Sequence, residues 1–481
     1  MATATKTPAK NWGIYVDGHW LHEGRPFEVR SPFDQSLVGT GYNGSPAHAE
    51  TAVRAAERAF QTTKKMGSHE RQRILRAISE GIRSRHEEFA HLIALEAGKP
   101  IKVARAEVER AAFTFAVAAE EAVRIGGEWI PLDWQAATAG RAAIIRRFSL
   151  GPILAITPFN FPLNLVAHKV APAIAAGCTV LLKPAPQTPF TSLLLVEIVE
   201  AAGLPAGALN VLPLAIPEAE RLVMDDRLKM LTFTGSGAVG WALKQKAGKK
   251  KVALELGGNA GVIVHSDWDA DDAAQRCVRG GFSYAGQSCI SVQRIYVHRS
   301  IEEKFLTALL ARVKKLKVGD PLDEATDVGP MINENAAQRA AAWIEEAVAG
   351  GAKLETGGKR RGTMLEPTVL TNTRREMKVS CEEVFAPVVT VEPYDDFHDA
   401  IQHVNDSPYG LQAGVFTRDA KLLFTAYEEL EVGGVIAGDM SSFRIDHMPY
   451  GGVKDSGLGR EGLRYAIEEM TEPRLLVLNL G

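Results

Sequence analysis

Met230-Leu-Thr-Phe-Thr-Gly-Ser-Gly-Ala-Val-Gly240, a short apolar run that breaks into a glycine-rich turn, decides how the chain is read. Five residues of strand character lead straight into Gly235-Ser-Gly237-Ala-Val-Gly240, and helix-forming residues follow over 239–247. That order, strand then G-x-G-x-x-G then helix, is the context in which backbone N–H groups can receive a pyrophosphate. Glu255 lies twenty residues past Gly235 at the end of the next apolar run, where a ribose-binding acid would sit. The competing reading is a tight strand-to-helix turn that needs only small residues.

Outward from this stretch the text alternates. Apolar runs at 153–157, Thr179–Lys183, 208–212 and 252–256 flank it, with helical stretches such as 191–202 between several of them. Short strands separated by helices predict a parallel sheet with crossover helices. A second series follows Gly258: strand 261–265, helix Ala270–Phe282, strand 295–298 and helix 301–314. Upstream, 47–62, 69–97 and 103–125 carry apolar residues at three- and four-residue spacing and read as three amphipathic helices. Trp129-Ile-Pro-Leu and 142–149, around a turn near Thr138-Ala-Gly140, predict a hairpin projecting from a lobe. The apolar stretch 475–480 reads as a final strand, a liability if left uncovered.

The 481 residues exceed one ordinary core and suggest two or three lobes. With 46% hydrophobic and 23% charged residues the chain is globular, and a net charge of −3 offers no footprint for nucleic acid. Residues 1–11 are small, polar and basic, unlike a secretory signal, and 151–182 is broken by Asn160, Asn164, His168 and Lys169, so no membrane span is expected. Four cysteines in so long a chain make no disulfide framework and no metal cluster; a reduced, cytoplasmic setting is expected. Cys178 and Cys277 read as small buried hydrophobes, and Cys381 stands beside two glutamates that would raise its pKa. Cys289, in Gly286-Gln-Ser-Cys289, sits in an accessible polar turn and is the nucleophile candidate.

Seven blocks in order carry a resemblance. They are Thr157-Pro-Phe-Asn-Phe-Pro162, Lys183-Pro-Ala-Pro-Gln-Thr-Pro189, Phe233-Thr-Gly-Ser236 through Gly240, Leu254-Glu-Leu-Gly-Gly258, Gly286-Gln-Ser-Cys289, Glu382-Glu-Val-Phe-Ala-Pro387, and Pro449-Tyr-Gly-Gly452 running into Gly457-Leu-Gly-Arg-Glu461. Together they resemble the aldehyde dehydrogenase superfamily. The resemblance implies an α/β fold of two Rossmann-like parallel-sheet lobes plus a small oligomerisation hairpin. It implies a cofactor-binding domain of 1–127 with 150–255, a catalytic domain of 256–447, and oligomerisation or bridging elements of 128–149 and 448–481. A homo-oligomer, dimer or tetramer, is expected.

The resemblance also implies roles. Cys289 attacks the aldehyde carbon as a thiolate, Asn160 and the backbone N–H of Cys289 stabilise the oxyanion, and Glu255 activates the water that hydrolyses the thioester. General base thus replaces ribose ligand for Glu255. Coenzyme-A-acylating members, similar to methylmalonate-semialdehyde dehydrogenase, carry a non-basic residue there, so Glu255 implies a free acid product. For the cofactor, NAD or NADP, the implied contacts are Thr157, Phe159, Lys183, the residue at Pro186, Gly235, Ser236, Gly240, Leu256, Glu383 and Phe385. Two positions depart from the family. NAD-specific members usually carry Glu where Pro186 stands, and Gly is common where Leu214 stands, so NADP use is open.

The segment Arg444-Ile-Asp-His-Met-Pro-Tyr-Gly-Gly452 resembles the lactaldehyde, phosphonoacetaldehyde and succinate-semialdehyde branch. Phe161, His168, Arg444 and Tyr450 are the implied substrate contacts. Where succinate-semialdehyde enzymes tend to carry arginines, this chain has His168 and Phe282-Ser-Tyr. Phosphonoacetaldehyde enzymes have His where Phe161 stands. A small hydroxyaldehyde of lactaldehyde or glyceraldehyde type is therefore the expected substrate. Arg444 keeps succinate semialdehyde or another anionic aldehyde as the alternative, against an ion pair with Asp446. A non-enzymatic structural protein would have lost Cys289, Glu255 or Asn160, and all three are present.

Overall fold

The computed structural model describes residues 10–480. Eight strands form the first sheet, in the order Gly457–Leu458, Lys251–Glu255, Met230–Thr234, Pro152–Ile156, Thr179–Lys183, Leu209–Val211, Ile14–Val16 and His19–Leu21. The central five run parallel, and both outer additions are antiparallel. In chain order those five lie 3-2-1-4-5, so connections leave in opposite directions from Pro152–Ile156 and Met230–Thr234. A crevice opens at the carboxyl ends of such a pair, which is where open α/β sheets take ligands. Buried apolar side chains on both faces explain why these strands read as continuous hydrophobic runs.

A second sheet of seven strands runs Lys353–Thr356, Thr368–Thr371, Val388–Tyr394, Val292–His298, Ala260–Val264, Gln412–Phe416 and Gly434–Ala437, parallel except for the first pair. Thr471–Asn479 pairs along Arg141–Ser149, which pairs with Gly127–Pro131, in a separate antiparallel ribbon. Each of the first two sheets has its own buried core. The predicted two-lobe α/β architecture with a projecting hairpin is what forms.

Met230–Thr234, Thr179–Lys183 and Ala270–Phe282 have the bounds expected from sequence. Other elements shift by a residue or a few. One expectation fails: 69–97 is two helices, Ser68–Ser84 and His86–Ala97, broken at Arg85 (φ −111°, ψ 26°). Gly81 gives the approach that Ile198 fills, the Ser84 hydroxyl bonds back to the Gly81 carbonyl, and the Arg85 N–H is shared between Gly81 and Ile82. Such local competition for carbonyls unwinds a helix while its apolar period continues. The strands between Lys10 and Asn43 were not legible: three are only three residues long, and Lys10–Trp12 and Ile14–Val16 take partners from further along the chain. The leader reading of 1–11 falls outside the described residues except for Lys10 and Asn11. Among the described residues, no helix is long and apolar enough to cross a membrane, and no group of His, Cys, Asp and Glu could hold a metal ion.

Candidate active site

Two adjoining cavities open at the crevice of the first sheet. The outer one, about 560 Å³, lies between the ends of the two diverging strands and is lined by Thr157, Phe159, Lys183, Pro186, Gly235 and Ser236, with Ile216 and Val239 at its apolar wall. The inner one, about 470 Å³, shares Phe159, Gly235 and Ser236 and continues past Asn160, Leu256, Glu383 and Phe385 to Cys289. Ser236 precedes the helix Gly237–Lys246, and its hydroxyl makes no capping bond, so the helix N-terminus faces the cavity uncapped by a side chain. The Thr234 hydroxyl is buried there without a partner. Glu383 accepts from the Gly258 N–H at 2.9 Å, and burial pushes its carboxyl up to about 7. An orphaned hydroxyl, open amides and an elongated cleft between two lobes fit a dinucleotide.

Gly240 departs from its expected place. It lines neither cavity; a Cβ there would lie 2.4 Å from Leu256 Cδ2 and 3.2 Å from the Phe233 ring, so its small size serves helix-on-strand packing. The glycines of Leu256-Gly-Gly258 have a related purpose at the junction of the lobes. A Cβ on Gly257 would strike the Glu383 carboxylate at 2.6 Å, and one on Gly258 the Cys289 carbonyl at 2.1 Å.

The turn before Cys289 is strained. Tyr284 and Ala285 both have φ of 52°, and Gly286 has 68°, three successive left-handed residues. Tyr284 Oη donates to the Ala97 carbonyl at 3.0 Å, and the Gln287 amide bridges the Pro330 carbonyl and the Ile332 N–H, which over-determines the turn. Cys289 emerges half-buried, its thiol at 3.0 Å from Tyr450 Oη. Burial pushes this thiol up to about 12, opposed by the Tyr450 hydrogen bond and by Arg444, while the residue still lines the inner cavity. Cys178 and Cys277 are buried as expected, and burial raises Cys381 with help from Glu382.

Asn160 Nδ2 donates to the Gln287 carbonyl at 3.0 Å, while its Oδ1 is buried and unpartnered. Its loop is pinned by groups that the sequence reading missed. Lys99 Nζ donates to the Asn160 carbonyl at 2.6 Å and to Glu107, lying 3.8 Å from the Phe161 ring centroid and 4.4 Å from that of Tyr284. The other Glu107 oxygen accepts from the backbone N–H groups of Leu163 (2.9 Å) and Asn164 (3.1 Å). Lys99 and Glu107 have no exposed side-chain surface. The pairing left no mark in the sequence, since Lys99 and Glu107 stand eight apart and each has opposite charges nearer in the chain, Glu96 three before Lys99 and Arg110 three after Glu107.

Glu255 ends Lys251–Glu255, clamped between Met230–Thr234 and Gly457–Leu458. One of its oxygens is buried without a partner, and its carboxyl is held well above the ordinary range, by burial and by the nearby Glu461. It is not among the residues lining either cavity. Beside it runs a buried charge network. Lys169 Nζ donates to Thr232 Oγ1 and Glu461, and Glu461 accepts from Arg444 at 2.8 Å. Burial opposes but its cationic neighbours prevail, holding Glu461 down at about 2. Asp446, well below the usual range through His168 and Arg110, accepts from both and from Asn164.

Two expectations are corrected here. Arg444 does not pair with Asp446; it pairs with Glu461 and lies 3.6 Å over the Tyr450 ring, its Nε buried and unpartnered. His168 is sealed inside, bonded to Asp446 at 2.9 Å, and reaches neither cavity. Arg110, partly exposed and 5.9 Å from the Phe161 ring, is the cation nearest that aromatic wall from the solvent side. Of the implied substrate contacts, Tyr450 thus touches Cys289 and Phe161 covers Lys99.

Residues 20–476 match the Aldehyde dehydrogenase family. A 3-sulfolactaldehyde dehydrogenase of Priestia megaterium (strain ATCC 12872 / QMB1551) is 47% identical over 475 residues, covering 98% of this chain and 99% of that one. The crystal structure of aldehyde dehydrogenase 21 from Physcomitrella patens, in complex with the reaction product succinate, superposes with a TM-score of 0.97 at 44% identity, over 99% of this chain and 100% of that chain. A glyceraldehyde-3-phosphate dehydrogenase from Methanocaldococcus jannaschii complexed with NADP gives 0.91 at 40% identity, over 94% and 99%.

Proposed function

Because the chain belongs to the aldehyde dehydrogenase family, and so carries out NAD(P)-dependent oxidation of an aldehyde to a carboxylate, we propose that Cys289 is its nucleophile, Asn160 its oxyanion donor and Glu255 its hydrolytic base. The observation that carries this reading is that Cys289, alone of the four cysteines, stands at the inner end of a cavity reaching from the Gly235-Ser236 turn. Cys289 loses its proton and bonds to the aldehyde carbon. The oxyanion takes a hydrogen bond from the Asn160 amide and one from the Cys289 N–H, donors whose removal typically costs about 10²–10³ in rate. The coenzyme, when bound, accepts the hydride. Glu255, its carboxyl held well above the ordinary range by burial and by Glu461, draws a proton from water as that water attacks the thioester. Thr157, Phe159, Lys183, Gly235, Ser236, Leu256, Glu383 and Phe385 hold the dinucleotide, with Pro186 beside the adenosine ribose.

The substrate we propose is a short hydroxyaldehyde. A second reading, an anionic group at its far end, is favoured by charge: the three cations Arg110, Arg444 and Lys169 pair with two carboxylates, Asp446 and Glu461. The name of the Priestia relative and the succinate bound in the Physcomitrella patens structure support it. Initial rates for glyceraldehyde, lactaldehyde, 3-sulfolactaldehyde and succinate semialdehyde, each with NAD and NADP, test the two. kcat/KM within threefold for neutral and anionic substrates excludes the second reading.

Residues 1–127 with 150–255 are read as the cofactor domain, 256–447 as the catalytic domain, and 128–149 with 448–481 as oligomerisation or bridging elements. A second copy of the chain is the proposed cover for the outer strand Thr471–Asn479, where Leu475, Leu476 and Val477 are exposed. Four free cysteines support a reducing, cytoplasmic setting.

A further inference from the structure

We propose that Tyr450 is a catalytic residue whose phenol O–H holds the Cys289 sulfur and stabilises it as the thiolate, a role that rests on Cys289 being the nucleophile. The contact is 3.0 Å from Oη to Sγ. A phenol is the stronger donor of the two, since S–H donates weakly, so the bond runs from oxygen to sulfur. It strengthens when sulfur becomes negative, because hydrogen bonds to ionised acceptors are about twice as strong as neutral ones.

The ring is held for this purpose. Tyr450 is 3% exposed and packs against Ile290 and Leu411. Its backbone exchanges both hydrogen bonds with Glu461, at 3.1 Å and 2.6 Å. The Arg444 guanidinium lies 3.6 Å from the ring centroid and is fixed from behind by the Glu461 carboxylate. A cation on the π face withdraws electron density and makes the phenol a better donor. Glu461 thus organises the backbone and the cation that orient one hydroxyl onto one sulfur.

Tyr450 does not take the proton. Burial, with the Cys289 sulfur beside it, keeps its own hydroxyl protonated well above the ordinary phenol range. The proton leaves Sγ for water, and the Tyr450 O–H stays whole. The side-chain partner at the thiol is a phenol rather than the imidazole of a Cys–His pair. The hydroxyl therefore offsets part of the burial that raises the thiol.

The test is alkylation of Cys289 by iodoacetamide, a neutral probe, without coenzyme, followed by mass spectrometry of the Cys289 peptide from pH 7 to 10. Tyr450→Phe should react about tenfold more slowly at each pH below the thiol midpoint, needing about one pH unit more to match wild type. Its thermal unfolding should match wild type. Site-specific 3-fluorotyrosine at position 450, a stronger donor of nearly the same shape, should shift the profile the other way. Equal profiles for Tyr450→Phe and wild type overturn the proposal, as does slower reaction of the fluorotyrosine protein, or a wild-type Cys289 inert up to pH 10. Turnover surviving in Cys289→Ala would instead refute the nucleophile reading, and the alkylation profiles do not depend on that result.

Discussion

Replacing Lys99 with methionine keeps the length of the side chain and removes the cation behind the oxyanion loop. Glu107 then stays fully buried, with two backbone donors and without its ion-pair partner. Removing one partner of a buried pair costs about 3–5 kcal/mol, because the survivor is left uncompensated. The Asn160 carbonyl also loses its 2.6 Å donor, so the loop carrying the Nδ2 group is free to shift. Outright loss of an oxyanion donor costs about 10²–10³, so a displaced one should lower kcat by roughly 10- to 100-fold. The double variant Lys99→Met with Glu107→Gln separates the two effects. Its amide oxygen can still accept from Leu163 and Asn164 without a charge, so stability should return to within about 2 kcal/mol of wild type, while kcat stays low. Guanidinium unfolding followed by tryptophan fluorescence, with kcat from NAD(P)H absorbance, reads both. If Lys99→Met unfolds within about 1 kcal/mol of wild type and keeps kcat within twofold, the reasoning from this buried pair fails.

Glu255→Gln should still release about one NAD(P)H per site in a burst and then turn over slowly, because thioester formation needs no base there; weaker coenzyme binding with no burst would return Glu255 to the ribose. A raised Glu255 pKa places the acid limb of the kcat profile well above the ordinary carboxylate range, with activity lost as pH falls through it. Glu461→Gln removes the like charge and releases Lys169 and Arg444 to act on Glu255, so the limb should move to lower pH; a limb that stays put or rises contradicts the coupling. At the adenosine end, no carboxylate stands at Pro186 to repel a 2′-phosphate, and Lys183 lines the same cavity. Wild type should use NADP within about tenfold of NAD, a gap of about 1.4 kcal/mol, and Pro186→Glu should raise KM for NADP; a thousandfold rejection of NADP by wild type would show another guard.

What the sequence determined by itself is what local chemistry dictates. Alternation of short apolar runs with helices is a property of neighbours in the chain, so the parallel core of the first sheet, the opening strand–helix units of the second and the bounds of Met230–Thr234 could be read directly; the other five strands of the second sheet were not. The turn at Gly235-Ser236 and the singularity of Cys289 were legible for the same reason, since each depends on residues a few positions away. Roles that depend on distant partners were not. Gly240 proved to be a packing glycine because the helix folds back onto Phe233 and onto Leu256, sixteen residues on, a contact the glycine spacing does not reveal. Arg444 turned from Asp446, two residues away, to Glu461, because the strand bridge at Tyr450 brings Glu461 beneath it. His168 was drawn inside by Asp446, 278 residues on, and Lys99 met Asn160 across 61. Burying charges is costly unless every partner converges, and that convergence is decided only when the helices and both sheets have packed.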